Sequence, residues 1–269
     1  MTEEIKTILK NADAILISAG AGMGVDSGLP DFRGEEGFWK AYPSIKELGL
    51  SFRDIANPLW FDEKPEFAWA FYGHRLHLYR ETIPHDGFKM LLDLVKEKND
   101  NYFIFTSNVD GQFQKAGFDD EKIYEVHGSI HHLQCSKRCN DALWENDEII
   151  DVDIKDFTTS NIPLCPNCGG VARPNILMFG DWNWNGKRAS KQEAKYNTWR
   201  KRNYNKNIVI IEIGAGSAVP TVRVEGNLLS KRLQHTKLIR INPREPEIEN
   251  KNGFSVSLGG LEGITKILN

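Results

Sequence analysis

The stretch Ala14-Ile-Leu-Ile-Ser-Ala-Gly-Ala-Gly22 places six apolar or small residues directly before a glycine-rich turn. The same order recurs where Ile208–Ile213 meets Gly214, where Tyr102–Thr106 meets a polar Ser-Asn-Val-Asp turn, and where residues 237–241 meet Asn242. Continuous apolar runs of this length, separated by helical stretches, are typical of strands covered on both faces of a parallel sheet. The sequence therefore predicts an α/β fold with a doubly wound parallel sheet.

Ligands of such sheets bind at the carboxyl ends of the strands, where the glycine and polar clusters of this chain fall. Four glycines within residues 19–28 free the backbone N–H groups to approach a phosphate. Taken alone, this cluster is equally typical of a tight turn without a ligand. The continuation Leu29-Pro-Asp-Phe-Arg-Gly34 adds an acid, an aromatic ring and a guanidinium. We expect these groups to hold the sugar and base of a dinucleotide.

The chain has four cysteines, and they form two closely spaced pairs, Cys135 with Cys139 and Cys165 with Cys168. Two short-spaced pairs supply the four thiolates of a tetrahedral zinc site, in which spacings of two to four residues are tolerated. Unrelated free thiols or one disulfide are the alternatives. Four protein ligands leave no open position for water, so the zinc is expected to be structural.

The composition excludes several classes of protein. With 40% hydrophobic and 26% charged residues, 269 residues are enough to bury a full core. A formal charge of −3 gives no general reason to expect nucleic acid as a partner, and no apolar run spans a bilayer. The first ten residues are polar and charged, so we expect no secretory signal and a cytoplasmic location.

The basic run Lys187–Arg202 is interpreted as a solvated helix, with a docking site for acidic partners as the alternative.

Two segments depart from the sheet pattern. Residues 35–86 are rich in aromatics and contain a predicted helix over residues 66–80. Residues 131–173 carry the cysteine pairs. We expect these insertions to form a smaller helical and zinc-binding lobe, beside a domain made of residues 1–34, 87–130 and 174–269. A cleft between the two is the expected binding site.

Several motifs in this chain resemble those of the sirtuins, the NAD-dependent protein deacylases. They occur in the family's order, nearly from end to end, and include Gly20-Ala-Gly22, Ser27-Gly-Leu-Pro-Asp-Phe-Arg-Gly34, Thr106-Ser-Asn-Val-Asp110, Ala116-Gly117, Val126-His-Gly128, the two cysteine pairs, Arg173-Pro-Asn-Ile-Leu-Met-Phe-Gly180, Gly214 onward and Ile241-Asn242. The resemblance implies a Rossmann-like domain and a zinc ribbon. It also implies that NAD is a co-substrate, which releases nicotinamide while the acyl group of a modified lysine moves to ADP-ribose.

The resemblance assigns roles to individual residues. His127 becomes the general base that activates a ribose hydroxyl, which suits a side chain that titrates near neutral pH. Asn108 and Asp110 orient the ribose and the nicotinamide amide. Without this resemblance, His127 would be interpreted as a core histidine whose hydrogen bonds are satisfied. The Asn-x-Asp turn would be interpreted as an ordinary turn at the end of a strand.

The remaining NAD-binding residues follow from the same resemblance. They are Gly20, Ala21, Gly22, Asp31, Phe32, Arg33, Ser107, Gly214, Ala215, Gly216 and Asn242, in addition to Asn108 and Asp110. Phe32 is expected to shield the reactive sugar from water. This chain has Gly24 where serine is usual and Ser107 where glutamine is usual, and it has Gly214-Ala-Gly where Gly-Thr-Ser is usual. We therefore expect the nucleotide to sit slightly differently from the family pattern.

A pair of side chains suggests which acyl group is bound. Tyr72 and Arg75 are three residues apart in the predicted helix and project from one face. A phenol beside a guanidinium binds a carboxylate, because arginine grips it through two hydrogen bonds. The sirtuin branch that removes succinyl or malonyl groups carries a similar Tyr-x-x-Arg. Acetyl-lysine as the substrate, with Tyr72 packed and Arg75 in solvent, is the alternative.

Three functional classes remain from the sequence. The first is a zinc-containing, NAD-dependent deacylase that acts on acylated-lysine proteins or peptides. The second is an ADP-ribosyltransferase or NAD hydrolase on the same scaffold, for which Ser107 and the altered glycine motifs leave room. The third is a sensor that binds NAD or ADP-ribose without turnover. The joint presence of His127, Asn108 and Asp110 argues against a sensor, because binding alone needs no base.

Overall fold

The computed structural model describes residues 1–30, 35–249 and 253–269. Its strands are β1 Ala14–Ala19, β2 Tyr102–Thr106, β3 Ile123–Glu125, β4 Gly128–Cys135, β5 Trp144–Glu145, β6 Val152–Asp153, β7 Thr158–Thr159, β8 Ala172–Ile176, β9 Ile208–Ile213, β10 Thr236–Ile241 and β11 Gly253–Val256. Its helices are α1 Thr2–Lys10, α2 Glu35–Ala41, α3 Pro43–Glu47, α4 Phe52–Ile55, α5 Trp60–Glu63, α6 Pro65–Glu81, α7 Asp86–Glu97, α8 Gln112–Lys115, α9 Lys187–Arg202, α10 Thr221–Arg232 and α11 Gly260–Leu268.

The main sheet joins six strands of the described chain in the order β11-β10-β9-β1-β2-β3, and all its pairings are parallel. Strands β1, β2 and β9 are buried along their whole length, as their unbroken apolar sequences predict. The strand order reverses between β1 and β9, so the crevice at their carboxyl ends is the position at which such sheets bind ligands. The predicted doubly wound parallel sheet is confirmed.

Helices cover both faces of this sheet. On one face, apolar side chains of α1, α7 and α11 pack against β1, β2, β9 and β10 in a cluster that includes Leu9, Leu91 and Ile264. On the other face, α9 and α10 contribute Trp199 and Leu229 to a second cluster. The predicted basic helix is confirmed as α9. It presents its apolar residues to the sheet and most of its charged residues to solvent, although Arg188 pairs with the buried Glu125 of β3 at 2.6 Å.

A separate layer lies beyond the carboxyl edge of the main sheet. Here the antiparallel strands β5-β4-β8 and the hairpin β6-β7 adjoin α2 to α6. One hydrophobic cluster unites these elements, and it contains the fully buried Phe38, Trp69 and Ile150. The helix predicted over residues 66–80 is present as α6. Of the helices that the structure describes, none has the length and apolar character needed to cross a membrane.

Candidate active site and metal centre

A cavity of about 640 Å³ opens where β1, β2 and β9 end, between the main sheet and the layer that contains α6. Many residues that the sequence singled out line it together: Gly20, Ala21, Tyr72, Arg75, Ser107, Asn108, Asp110, His127, Ala215 and Gly216. Gly22, Gly214 and Asn242 lie behind this surface. Asp31, Phe32 and Arg33 fall outside the described residues.

Two glycine-rich loops, residues 20–22 and 214–216, form the floor of the cavity. The Gly22 N–H donates to the Gly214 carbonyl at 3.1 Å, which joins the loops back to back. Gly214 has φ +57°, and a Cβ at this position would lie 2.4 Å from the carbonyl carbon of Gly22. Only glycine permits both the left-handed backbone and this close approach. Asn242 supports the second loop from behind, because its side-chain amide donates to the Ala215 carbonyl at 2.8 Å.

The polar turn after β2 fixes Asn108 and Asp110 on the cavity wall. The Asn108 amide donates to the Gly20 carbonyl at 3.1 Å, so this turn is tied to the first glycine loop. An Asp110 carboxylate oxygen accepts the Gln112 N–H at 3.0 Å. Burial raises the pKa of Asp110 to about 6, and the nearby Glu125 carboxylate adds to this effect. The carboxylate therefore sits at the cavity in an environment that penalises its charge.

His127 ends the short connection between β3 and β4, and it faces the same cavity. Its backbone carbonyl accepts the Leu177 N–H at 2.9 Å. The next residue, Gly128, has φ +79°, and a Cβ there would lie 2.0 Å from the Asn175 carbonyl oxygen. Glycine at this position lets β8 run directly beside the chain that follows the histidine.

The surroundings of the His127 imidazole favour its neutral form. Burial lowers its pKa, although a hydrogen bond to the backbone of Ser107 acts in the opposite direction. Nε2 lies 3.4 Å from the Thr221 hydroxyl at the start of α10. A neutral imidazole beside the ends of β1 and β2 has the protonation state that a general base requires.

Tyr72 and Arg75 reach the cavity from α6, as their spacing predicts. The Arg75 guanidinium is buried and lies 5.2 Å from the centre of the Phe71 ring and 5.7 Å from that of Tyr72. Its Nε and Nη2 both donate to the Tyr79 hydroxyl, at 3.0 and 2.6 Å. The helix therefore carries an arginine into the cavity, and a second tyrosine fixes its orientation.

Sequence reasoning missed Tyr79, Thr221 and the segment that contains Arg53, all of which line the cavity. Tyr79 lies four residues after Arg75, so helical spacing alone would have placed it on the same face. Thr221 carried no signal. It meets His127 only because α10 begins beside the end of β3.

The four cysteines converge on one point between the loop after β4 and the loop before β8. Their sulfur atoms all lie within 4.8 Å of one another. The Cys135–Cys168 and Cys139–Cys165 sulfur pairs are 3.7 and 3.6 Å apart. Zinc–thiolate bonds of about 2.3 Å place tetrahedral ligands about 3.8 Å from each other, so the donor set fits a Zn²⁺ ion. Among the described residues, the group contains no histidine or carboxylate.

Comparisons with known proteins agree with this arrangement. A family model described as "Sir2 family" matches residues 20–219. The chain is 31% identical over 180 residues to an NAD-dependent protein deacylase of Aeropyrum pernix, which covers 66% of this chain and 64% of that protein. It is 29% identical over 167 residues to an NAD-dependent protein deacylase of Aquifex aeolicus, which covers 62% of each. The chain thus spans less than two thirds of the length of these relatives.

Solved structures extend the likeness to the whole fold. A Sir2 homologue–NAD complex superposes with a TM-score of 0.74 at 23% identity, over 100% of this chain and 92% of that chain. Sir2Tm bound to a propionylated peptide superposes with a TM-score of 0.70 at 21% identity, over 99% and 97%. At these identities the likeness establishes the fold. The family model covers about three quarters of the 269 residues, and the chain therefore belongs to the Sir2 family, the sirtuins.

Proposed function

We propose that this protein is an NAD-dependent protein-lysine deacylase, which releases nicotinamide and transfers the acyl group of a modified lysine to ADP-ribose. One observation carries the proposal: His127, Asn108, Asp110 and both glycine-rich loops line a single cavity. The names of the relatives from Aeropyrum pernix and Aquifex aeolicus support it.

The cavity suits NAD as the co-substrate. The two glycine loops offer a floor with no side chain larger than the methyl groups of Ala21 and Ala215, at which backbone N–H groups can approach a pyrophosphate. Ala21, Ser107 and Gly216 would line the nucleotide, while Asp31, Phe32 and Arg33 are assigned to its nicotinamide side from the sequence. When bound, NAD supplies a ribose carbon from which nicotinamide can leave.

Proton transfer falls to His127. Its neutral imidazole accepts a proton from a ribose hydroxyl, which makes that oxygen nucleophilic toward the acyl group. Asn108 orients the ribose from the turn that its own amide ties to Gly20. Asp110, which is buried, binds the nicotinamide amide.

The acyl pocket is proposed to prefer acidic acyl groups such as succinyl or malonyl. Arg75 brings a buried positive charge to the cavity, and Tyr72 lines the cavity beside it. The two hydrogen bonds that the Tyr79 hydroxyl accepts from Arg75 fix the plane of the guanidinium. A fixed plane favours recognition of a carboxylate, whereas an acetyl group offers no partner for the charge.

The zinc ion is proposed to be structural. Four thiolates complete its coordination, so it stabilises the fold of residues 131–173 without taking part in the reaction. We propose that this segment and residues 35–86 make up the small lobe, since their side chains share one hydrophobic cluster. Thiolate ligands suit a reducing compartment, for which we propose the cytoplasm. We expect neither nucleic acid nor a membrane among the partners.

The direct test incubates acetyl-lysine and succinyl-lysine peptides with NAD and follows both products by mass spectrometry. We expect acyl loss and nicotinamide release in equal amounts, abolished in His127→Ala but retained in His235→Ala, which changes an exposed histidine. Arg75→Met should lower turnover of succinyl-lysine far more than that of acetyl-lysine. Arg232→Met, at an exposed position of α10, is the matched control.

Two results would contradict these proposals. Nicotinamide release with intact acyl groups points instead to an ADP-ribosyltransferase or NAD hydrolase, and the ADP-ribose should then be sought on protein. Equal losses of acetyl and succinyl turnover in Arg75→Met would refute the acidic-acyl preference alone.

A further inference from the structure

A second cavity, of about 400 Å³, adjoins the first on the far side of His127. It lies between α9 and the start of α10. His127, Leu177 and Thr221 line both cavities, so these three residues form the ridge between them. Nothing in the proposed reaction uses the second cavity.

The inner wall of this cavity is aromatic. The rings of Phe105, Tyr124 and Tyr196 pack against one another with centroids 5.4 to 5.9 Å apart. Tyr196 is buried, and Tyr124 is partly exposed. The rings meet edge-on or tilted. Ring faces at a cavity wall attract the alkyl stem and the charged end of a cationic side chain, and the Arg200 guanidinium already lies 5.3 Å from the centre of the Tyr196 ring.

The rim of the cavity carries two carboxylates and one guanidinium. Glu225 is bound on both sides, because it accepts the Tyr196 hydroxyl at 2.7 Å and pairs with Arg200 at 3.2 Å. Glu193, exposed on α9, makes no ion pair or side-chain hydrogen bond to any residue that the structure describes. One negative charge on this rim is therefore left uncompensated.

The two carboxylates also act on the phenol of Tyr124. Burial raises its pKa to about 12, and the carboxylates of Glu193 and Glu225 contribute in the same direction. Both Glu193 and Glu225 line the cavity. The combined environment favours a cation and disfavours an anion.

We propose that the second cavity is a subsite for a lysine or arginine side chain of the same peptide that presents the acylated lysine. This inference rests on the proposed deacylase function. The ring faces contact the alkyl stem, and the carboxylate of Glu193 meets the charged end.

Because only the ridge of His127, Leu177 and Thr221 separates the two cavities, one peptide can place side chains in both. The acyl-lysine must bring its acyl group to the cavity beside His127, so the peptide backbone passes close to Leu177, which is 37% exposed. An extended peptide advances about 3.3 Å per residue. A residue one to three positions from the acyl-lysine can therefore place its side chain across the ridge.

The test uses acyl-lysine peptides in which each of the three residues on either side is changed in turn to lysine, norleucine or glutamate. Norleucine keeps the alkyl stem of lysine without its charge. At one position we expect kcat/KM to be about three- to tenfold higher with lysine than with norleucine, and lowest with glutamate. Added salt should reduce the preference, because Glu193 is exposed.

Protein variants locate the effect. Glu193→Gln should bring the ratio of lysine to norleucine close to one, and Glu193→Lys should reverse the order so that glutamate is preferred. Glu4→Gln, an exposed change on the opposite face of the sheet, should leave the ratio as it is in the wild type. Equal kcat/KM for all three peptides at every position, or a preference that survives Glu193→Lys, would overturn the subsite.

Peptide affinity separates this inference from the proposed function. Fluorescence anisotropy of the same peptides with the His127→Ala variant measures binding without turnover. Tighter binding of the lysine peptide, with no acyl loss in the wild type, supports the subsite and refutes the deacylase. Turnover in the wild type with equal affinities refutes the subsite and leaves the deacylase intact.

Discussion

Replacing Asp110 by asparagine should make the protein more stable at neutral pH while removing most of its activity. The carboxyl group is buried, and its pKa rises from 3.8 to about 6. Each pKa unit corresponds to about 1.4 kcal/mol, so ionised Asp110 costs the folded state about 3 kcal/mol above pH 7. Asparagine keeps the oxygen that accepts the Gln112 N–H and removes the charge.

The raised pKa of Asp110 also makes the stability of the wild type depend on pH. Between about pH 4 and pH 6, folded Asp110 retains a proton that the unfolded chain has released. Wild-type stability therefore falls as pH rises through this window, by comparison with the variant. The difference between the two proteins should be about 3 kcal/mol at pH 7.5 and roughly half of that at pH 5.

Urea unfolding of both proteins at pH 7.5 and pH 5 measures this difference directly. Asp93→Asn, which alters an exposed carboxylate on α7, should change the free energy of unfolding little at either pH. The reasoning is refuted if Asp110→Asn is no more stable than the wild type at pH 7.5, or if its advantage is the same at both pH values. Nicotinamide release should fall at least about tenfold in the same variant, as expected for a residue that is destabilising but required.

Three further predictions concern the zinc ion, the N-terminus of α7 and His127. Removal of zinc by a chelator should lower the melting temperature and abolish activity together, and an unchanged melting temperature after verified metal loss would contradict a structural role. His85 caps α7 in its neutral form, because Nδ1 accepts the Gly87 N–H and Nε2 donates to the Met23 carbonyl, and burial lowers the pKa of His85. The stability that this cap confers should be lost as pH falls below about 6.5. The melting temperature of the wild type should therefore exceed that of His85→Asn by less at pH 5.5 than at pH 7.5. Thr221→Val removes the hydroxyl beside Nε2 of His127, and loss of a hydrogen bond to the neutral imidazole should raise the pKa of His127. The acid limb of kcat/KM against pH should therefore move to higher pH, and Thr221→Ser should restore it. Identical pH profiles for all three proteins would show that Thr221 does not tune the base.

The cavity is lined by ionisable side chains whose surroundings shift their pKa values. Asp110 is ionised against the effect of its burial, and His127 is kept neutral by the same desolvation. Arg75 is a buried cation that lies among aromatic rings. Of these three groups, ionised Asp110 is the one whose burial costs stability, so its substitution is expected to separate stability from activity.

The sequence by itself determined the sheet, the four clustered cysteines and ten of the residues that line the cavity. Strands that are covered on both faces are continuously apolar. Segments such as Ala14–Ala19 and Ile208–Ile213 therefore predict a parallel sheet from the sequence alone. Cysteine spacing fixes the metal site in the same way, because the ligands of each pair lie within one turn of chain. Helical periodicity likewise put Tyr72 and Arg75 on one face of α6.

Only the tertiary structure decided which groups meet across these elements. The contact between Thr221 and His127 joins residues 94 positions apart, and the second cavity combines side chains of β2, β3, α9 and α10. No local pattern encodes such contacts, because they depend on how helices are placed on the sheet. Likewise, the pKa values of Asp110 and His127 follow from burial, which exists only once the chain has folded around them.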